Sequence, residues 1–249
     1  MRDGDWMEAL AASPEDDRLR RRFADALVAA GDPWAELVSL QIDRASRASE
    51  RREREREAEL IEELGPRWSA PLAAIPGVRD IGFERGAPGR LVVDAAALGV
   101  AGPVMAGFPI AHLDVIGLGG RVDRLAAYPR LGRLLSLGLA DAGIDDDGAG
   151  ALAALGWSRL AWLDLAGNPI GRAGVEQIAA APALRELGFL GLERTRFDPR
   201  ERPSSVDWDG TVLALELPAE GAELIAKHGE RAWLRWRAGS YHQYPPPRR

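Results

Sequence analysis

The sequence contains no cysteine, which removes disulfides, thiolate metal sites and cysteine nucleophiles together. Histidine is almost as scarce: His112, His228 and His242 are the full set, and they lie far apart without ligand spacing. The acidic run Asp145-Asp146-Asp147-Gly148 lacks the alternating ligands and terminal glutamate of a calcium loop. It reads instead as a helix N-terminus, where carboxylates accept from free amides. No metal and no cofactor are expected. Basic surplus is missing too. Lys and Arg number 32 against 38 Asp and Glu, a net charge of −6, which disfavours nucleic acid as a partner. No run approaches the roughly 18 to 20 apolar residues of a membrane span. The acidic start Met1 to Trp6 leads into no apolar signal region, so the protein reads as cytoplasmic. There is no G-x-S-x-G, no P-loop and no dinucleotide fingerprint. The glycine-rich Gly117-Leu118-Gly119-Gly120 lacks the helix spacing of a phosphate loop and reads as a turn. These absences point away from an enzyme, and no catalytic residue is expected.

What is present is a foldable balance, 46% hydrophobic and 28% charged. Residues 1 to about 70 carry helix signals. Ser13-Pro14-Glu15-Asp16 reads as an N-cap with a proline and acids in the first turn. Leu19, Phe23, Ala26 and Leu27 form the apolar stripe of the helix that follows. Gly31 ends it, and Asp32-Pro33 opens another through Trp34, Leu37, Val38 and Gln41. From Arg44 to Glu63 the chain is nearly all Arg and Glu, which predicts a long solvated helix held by i,i+4 pairs. The same run is the alternative candidate for a binding surface. Leu60, Ile61, Leu64 and Trp68 return it to the body, and Gly65-Pro66 is the expected stop.

The remaining two-thirds repeats. Leu160-Ala161-Trp162-Leu163-Asp164-Leu165-Ala166-Gly167-Asn168-Pro169-Ile170 fits L-x-x-L-x-L-x-x-N-x-I. The leucines of this pattern point into a core, and the asparagine bonds backbone where the chain leaves the strand. Leu134, Leu137, Leu139 and Ile144 fill the same slots upstream, with Ala142 in place of the asparagine. Leu187, Leu190, Leu192, Thr195 and Phe197 fill them downstream. Weaker copies run through Ile110, Leu113 and Val115, and through Val212, Leu215 and Leu217. Leu91-Val92-Val93 and Trp233 to Arg237 are candidate outermost strands. Between strands, 148–155 and 171–179 align as short helices. Spacings fall within the about 20 to 29 residues of leucine-rich repeats. The fold class is therefore α/β: a leucine-rich-repeat solenoid, parallel strands inside and helices outside, behind an all-α N-terminal module. The expected division is 1–75 for the helical module, 76–240 for the solenoid and 241–249 for a flexible tail. The loop from Asp198 to Gly210 reads as an irregular bulge, and Trp233, Leu234 and Trp236 as the closing cap.

A resemblance supports this order. Pro14-Glu15-Asp16-Asp17, Phe23-Ala24-Asp25-Ala26-Leu27, Gly31-Asp32-Pro33 and Ala35-Glu36-Leu37-Val38-Ser39-Leu40-Gln41 resemble the bacterial repeat-companion domain, a helical module found ahead of leucine-rich repeats. Gly65-Pro66-Arg67-Trp68 and Ile81-Gly82-Phe83-Glu84-Arg85-Gly86 are similar to its continuation. The repeats themselves are similar to the ribonuclease-inhibitor type. The likeness spans roughly the first 90 residues and departs at Trp34 and Ala26. It implies an architecture and carries no chemistry.

Strand alternation then selects the residues that face away from the leucines. One row reads His112, Ser136, Trp162, Phe189, Ala214. The next reads Asp114, Gly138, Asp164, Gly191, Glu216, and the third Ile116, Ala140, Ala166, Glu193, Pro218. The expected partner-binding residues are His112, Asp114, Trp162, Asp164, Phe189 and Glu216, with Trp162 exposed as the anchor. The expected function is non-catalytic binding of a protein partner, one of basic character. The alternative is a structural or regulatory subunit of a larger bacterial complex.

Overall fold

The computed structural model describes residues 3–14, 16–44, 50–206 and 212–235. The tail 241–249, Trp236 and residues 207–211 lie outside the described residues. Six strands are hydrogen-bonded in sequence order in one sheet, antiparallel between β1 and β2 and parallel from β4 to β6. Two further strands form a separate antiparallel ribbon. The chain divides into two compact units. The first runs to Leu113 and takes in Ala127–Pro129, and the second comprises Asp114–Ala126 and the chain from Arg130.

The first unit opens with four helices: α1 (Asp3–Ala12), α2 (Asp17–Ala29), α3 (Trp34–Arg44) and α4 (Arg51–Ala73). The N-cap of α2 is Asp16, not the expected Ser13, because its carboxylate accepts from the amides of Arg18 and Leu19 at 2.9 and 3.0 Å. Helix α4 does not stop at Gly65-Pro66 but runs through both. A proline inside a helix costs about 3 kcal/mol. Burial of Trp68 and Leu72 on the next turns offsets it. Gly65 is where α4 touches Phe83, whose ring would lie 3.2 Å from any Cβ placed there. On the solvent side, Arg56 bridges Glu36 at 2.7 Å and Glu59 at 3.1 Å.

A hairpin follows, β1 (Val78–Glu84) and β2 (Ala87–Asp94), joined by Arg85-Gly86. Leu91-Val92-Val93 is thus a strand, and its partner β1 is antiparallel to it. Both turn residues have positive φ, 51° and 77°, the geometry of a type I′ turn. The helices hold this turn by its backbone. Arg20 donates to the Arg85 carbonyl at 2.9 Å, and the Trp34 indole donates to the Gly86 carbonyl at 2.9 Å. Gln41 accepts from the Gly86 amide at 2.6 Å and donates to the Phe83 carbonyl at 3.0 Å. Arg85 in turn reaches Asp17 at 2.9 Å. Around this grip lies an aromatic cluster in which Phe23 and Trp34 both meet Trp68, at 5.5 and 5.8 Å between ring centroids. The hairpin therefore belongs with the helices. Helix α5 (Leu98–Met105) follows, and β3 (His112–Ile116) carries the chain into the second unit.

The second unit repeats strand, turn and helix: β4 (Ser136–Gly138), α6 (Asp146–Ala153), β5 (Trp162–Asp164), α7 (Arg172–Ala180) and β6 (Phe189–Gly191). Leu137, Leu163 and Leu190 pair in register across the three strands, and all are fully buried. So are Leu139, Leu165 and Leu192 beside them. Asn168, 1% exposed, is the polar tie between repeats. Its Oδ1 accepts from the Ile144 amide at 2.9 Å, and its Nδ2 donates to the carbonyls of Leu139 and Leu165 at 2.8 and 2.9 Å. One side chain thus satisfies backbone in its own turn and in the preceding one. The acidic run does the same for the helices. Asp145 caps α6 through the Gly148 amide at 2.9 Å, while Asp146 reaches ahead to the Gly171 and Gly174 amides at the start of α7, at 2.6 and 3.0 Å.

The parallel series ends at β6. The expected strand through Val212 and Leu215 is present as β8 (Val212–Glu216), but it pairs antiparallel with β7 (Arg202–Val206) in the separate ribbon. Residues 202–206, expected to be irregular, are therefore a strand. At the edge of β6 the buried Arg200 donates to the outward carbonyl of Leu190 at 2.9 Å, and residues 232–234 lie against the same strand. Helix α8 (Ala219–His228) comes next, and the described part of the expected last strand, around Trp233, is a short 3-10 turn, Ala232–Leu234.

Candidate partner-binding face

The leucines of β4, β5 and β6 take one side of the strands, so the alternate residues take the other. The register sets Ser136, Trp162 and Phe189 side by side, and Gly138, Asp164 and Gly191 in the adjoining row. Trp162 and Phe189 are stacked, 4.8 Å between centroids with an 11° angle between planes. The expected adjacency of the two rings is therefore present, but the expected exposure is not. Trp162 is only 7% exposed, and Phe189 is half-buried. Any contact made here by a partner falls on Phe189, with Trp162 as its backing.

The next row alternates carboxylate and glycine for a steric reason. A Cβ at Gly138 would overlap the Asp114 carboxylate, and one at Gly191 would overlap that of Asp164. Each acid leans over the following strand into space that only glycine leaves. Asp164 also accepts from the Ala166 amide at 2.9 Å. Burial pushes its carboxyl above the ordinary aspartate value; the negative charges of Glu193 and Asp114 act the same way, while the Ala166 amide and Arg200 oppose. In the third row Ile116 is 51% exposed and Ala140 is exposed, while Ala166 and Glu193 are half-buried.

Comparison with family models, curated proteins and solved structures found no match.

Two of the six expected residues fall elsewhere. His112 is buried in the first unit, and its Nε2 lies 3.1 Å from Glu84 Oε2. Burial withdraws it from any open surface. Glu216 is exposed but stands on β8, in the antiparallel ribbon, so it is not the continuation of the Asp114 and Asp164 row. One residue that shapes this region was not foreseen. Arg200 is bound by Asp198 at 2.6 Å and Glu193 at 3.1 Å and brings positive charge beside the acids. Its signal in the sequence is an arginine flanked by Asp198 and Glu201 just past the last well-kept repeat. Among the described residues no cluster of three His, Asp or Glu is placed to hold a metal ion. No helix among them is long and apolar enough to cross a membrane.

Proposed function

We propose that the chain is a short leucine-rich-repeat solenoid behind a repeat-companion module, and that it binds a protein partner in the cytoplasm without catalysing a reaction. The Asn168 tie supports the repeat reading, since it links consecutive turns at the position the L-x-x-L-x-L-x-x-N pattern assigns. One observation carries the binding reading. Beside the half-buried carboxylates of Asp114 and Asp164, Ile116 and Ala140 are exposed and Phe189 is half-buried, so apolar side chains flank the acids. Such a flank excludes water from a contact, while the acids select a partner with basic groups. A structural or regulatory role in a larger complex would use the same face.

The test is recovery of partners from the native host, followed by binding measurements on purified components. Phe189→Ala and Ile116→Asp, both checked for folding, should weaken the partner about tenfold or more if the face is a hot-spot surface. A partner indifferent to both changes but lost when the charges of Glu53 to Glu57 are reversed would place the surface on α4. A partner indifferent to all of them sinks the proposal.

A further inference from the structure

We infer that Arg200 guards the edge of β6 against pairing with a second copy of the chain. The inner side of β6 is in use: the Phe189 amide donates to the Ala161 carbonyl at 3.1 Å, and the Leu165 amide donates to the Gly191 carbonyl at 2.9 Å. Successive residues of a strand turn their backbone groups to opposite sides. The Leu190 carbonyl therefore faces away from β5, on the side where the sheet has no further strand among the described residues. Arg200 Nη1 donates to it at 2.9 Å. The rest of the guanidinium is held from behind: Nε donates to Asp198 at 2.7 Å, and Nη2 to Asp198 at 2.6 Å and Glu193 at 3.1 Å. The side chain is 5% exposed. Leaving the solvent with a charge is costly, and this placement persists because every face of the fork is bonded.

What Arg200 covers is hazardous if bare. Phe189-Leu190-Gly191-Leu192 is apolar, uncharged and free of proline, the composition of an edge that pairs with its like. A two-fold contact between copies would set β6 antiparallel to β6 of the other molecule, using the carbonyl that Arg200 now occupies. A second buried arginine supplies the contrast. Arg231 donates through Nε and Nη2 to the Ala179 carbonyl in the last turn of α7, at 3.1 and 2.9 Å. It satisfies a helix end, which offers nothing for another strand to join. Both arginines finish an element, but Arg200 bonds the strand backbone itself, whereas Arg231 leads into the turn Ala232–Leu234 that lies against β6. This inference does not rest on the partner-binding proposal.

The experiment compares Arg200→Met and Arg231→Met in the full chain. Near-UV circular dichroism checks the fold, and size-exclusion chromatography with light scattering reads mass across a concentration series. Arg200→Met should double its mass relative to the parent as concentration rises, with hydrogen exchange slowing across residues 189–191. Arg231→Met should keep the parent's mass. A folded Arg200→Met with the parent's mass throughout overturns the inference, as does equal self-association of both variants, which would reflect general loosening. Should Arg200→Met not fold, Asp198→Asn combined with Glu193→Gln frees the same guanidinium and should show the doubled mass. Unchanged mass there, or loss of fold in that variant too, overturns it, because Arg200 would then serve the core.

Discussion

Asp141 and Arg194 close a bidentate ion pair, 3.1 and 3.0 Å, over the empty side-chain position of Gly167. The three residues occupy the same place in consecutive repeats, two positions after the leucine that ends each strand. All three have left-handed backbone, with φ of 52°, 60° and 70°. Glycine takes that conformation freely and other residues do not. Arg194 holds the Asp141 carboxyl below the usual carboxylate range. Two separable effects follow. Asp141→Asn should lower the melting temperature slightly at low salt and match the parent at high salt, because the pair is exposed and screened. Asp141→Ala should melt below Asp141→Gly at every salt concentration, because the backbone term is not screened. Calorimetry of the three variants at two ionic strengths checks both, and a salt-dependent gap between Ala and Gly would refute the backbone argument.

The repeat core can be tested at its two kinds of residue. Leu163→Ala empties a fully buried site and should cost roughly 2 to 5 kcal/mol. Asn168→Ala should cost about 1 to 3 kcal/mol, because it strands the Ile144 amide and two buried carbonyls. Urea titrations of both report these losses; negligible loss in Asn168→Ala would show that the inter-repeat tie is not structural, and in Leu163→Ala that the leucine row is not the core.

Asp164 should give a pH signature of unusual sign. Its folded carboxyl is raised by burial, so the folded state binds the proton more readily than the unfolded one. Its contribution is then most favourable below the ordinary aspartate value and is lost as pH rises through the elevated one. Asp164→Asn retains an acceptor for the Ala166 amide and removes the charge. The variant should therefore be more stable than the parent at neutral pH, and the difference should shrink on acidification. A difference that grows toward acid would mean that the carboxylate is stabilised by its surroundings instead.

The hairpin grip predicts two losses in the first unit. Gln41→Ala leaves the Gly86 amide and the Phe83 carbonyl without their partner and should cost about 1 to 3 kcal/mol. Gly86→Ala forces a Cβ into Val38 at a positive φ and should be the more damaging. Denaturant midpoints followed by tryptophan fluorescence would rank them, and the reverse order would dissolve the argument.

The sequence was most legible where residue type and position serve one local purpose. The leucine triplets, the Asn168 slot, the two repeat helices and the break at Gly31 all follow from periodicity and backbone need. It was least legible where distant chain decides. Alternation tells that Trp162 faces away from the leucines, but not that it is buried there. Gly65-Pro66 has the chemistry of a stop, yet the contact of Gly65 with Phe83 and the burial of Trp68 carry α4 past it. The leucine spacing through Val212 and Leu215 suggests another parallel strand; Arg200 between Asp198 and Glu201 is plain in the sequence, but its reach back to the Leu190 carbonyl is not. The alternation of Asp114, Gly138, Asp164 and Gly191 was visible as letters. Only the geometry explains it, since each glycine is the room its neighbouring acid needs.

The grip on the hairpin turn also sets an order of events at the ribosome. The chain emerges from its N-terminus, so the four helices are made before Arg85 and Gly86 exist outside the tunnel. Until that turn arrives, the indole of Trp34, the amide of Gln41 and the guanidinium of Arg20 lack the backbone groups they are shaped to hold. The helical bundle alone is therefore expected to be incomplete until those later residues join it. A nascent chain halted at residue 75 should remain sensitive to protease, and one halted with residue 94 clear of the tunnel should not.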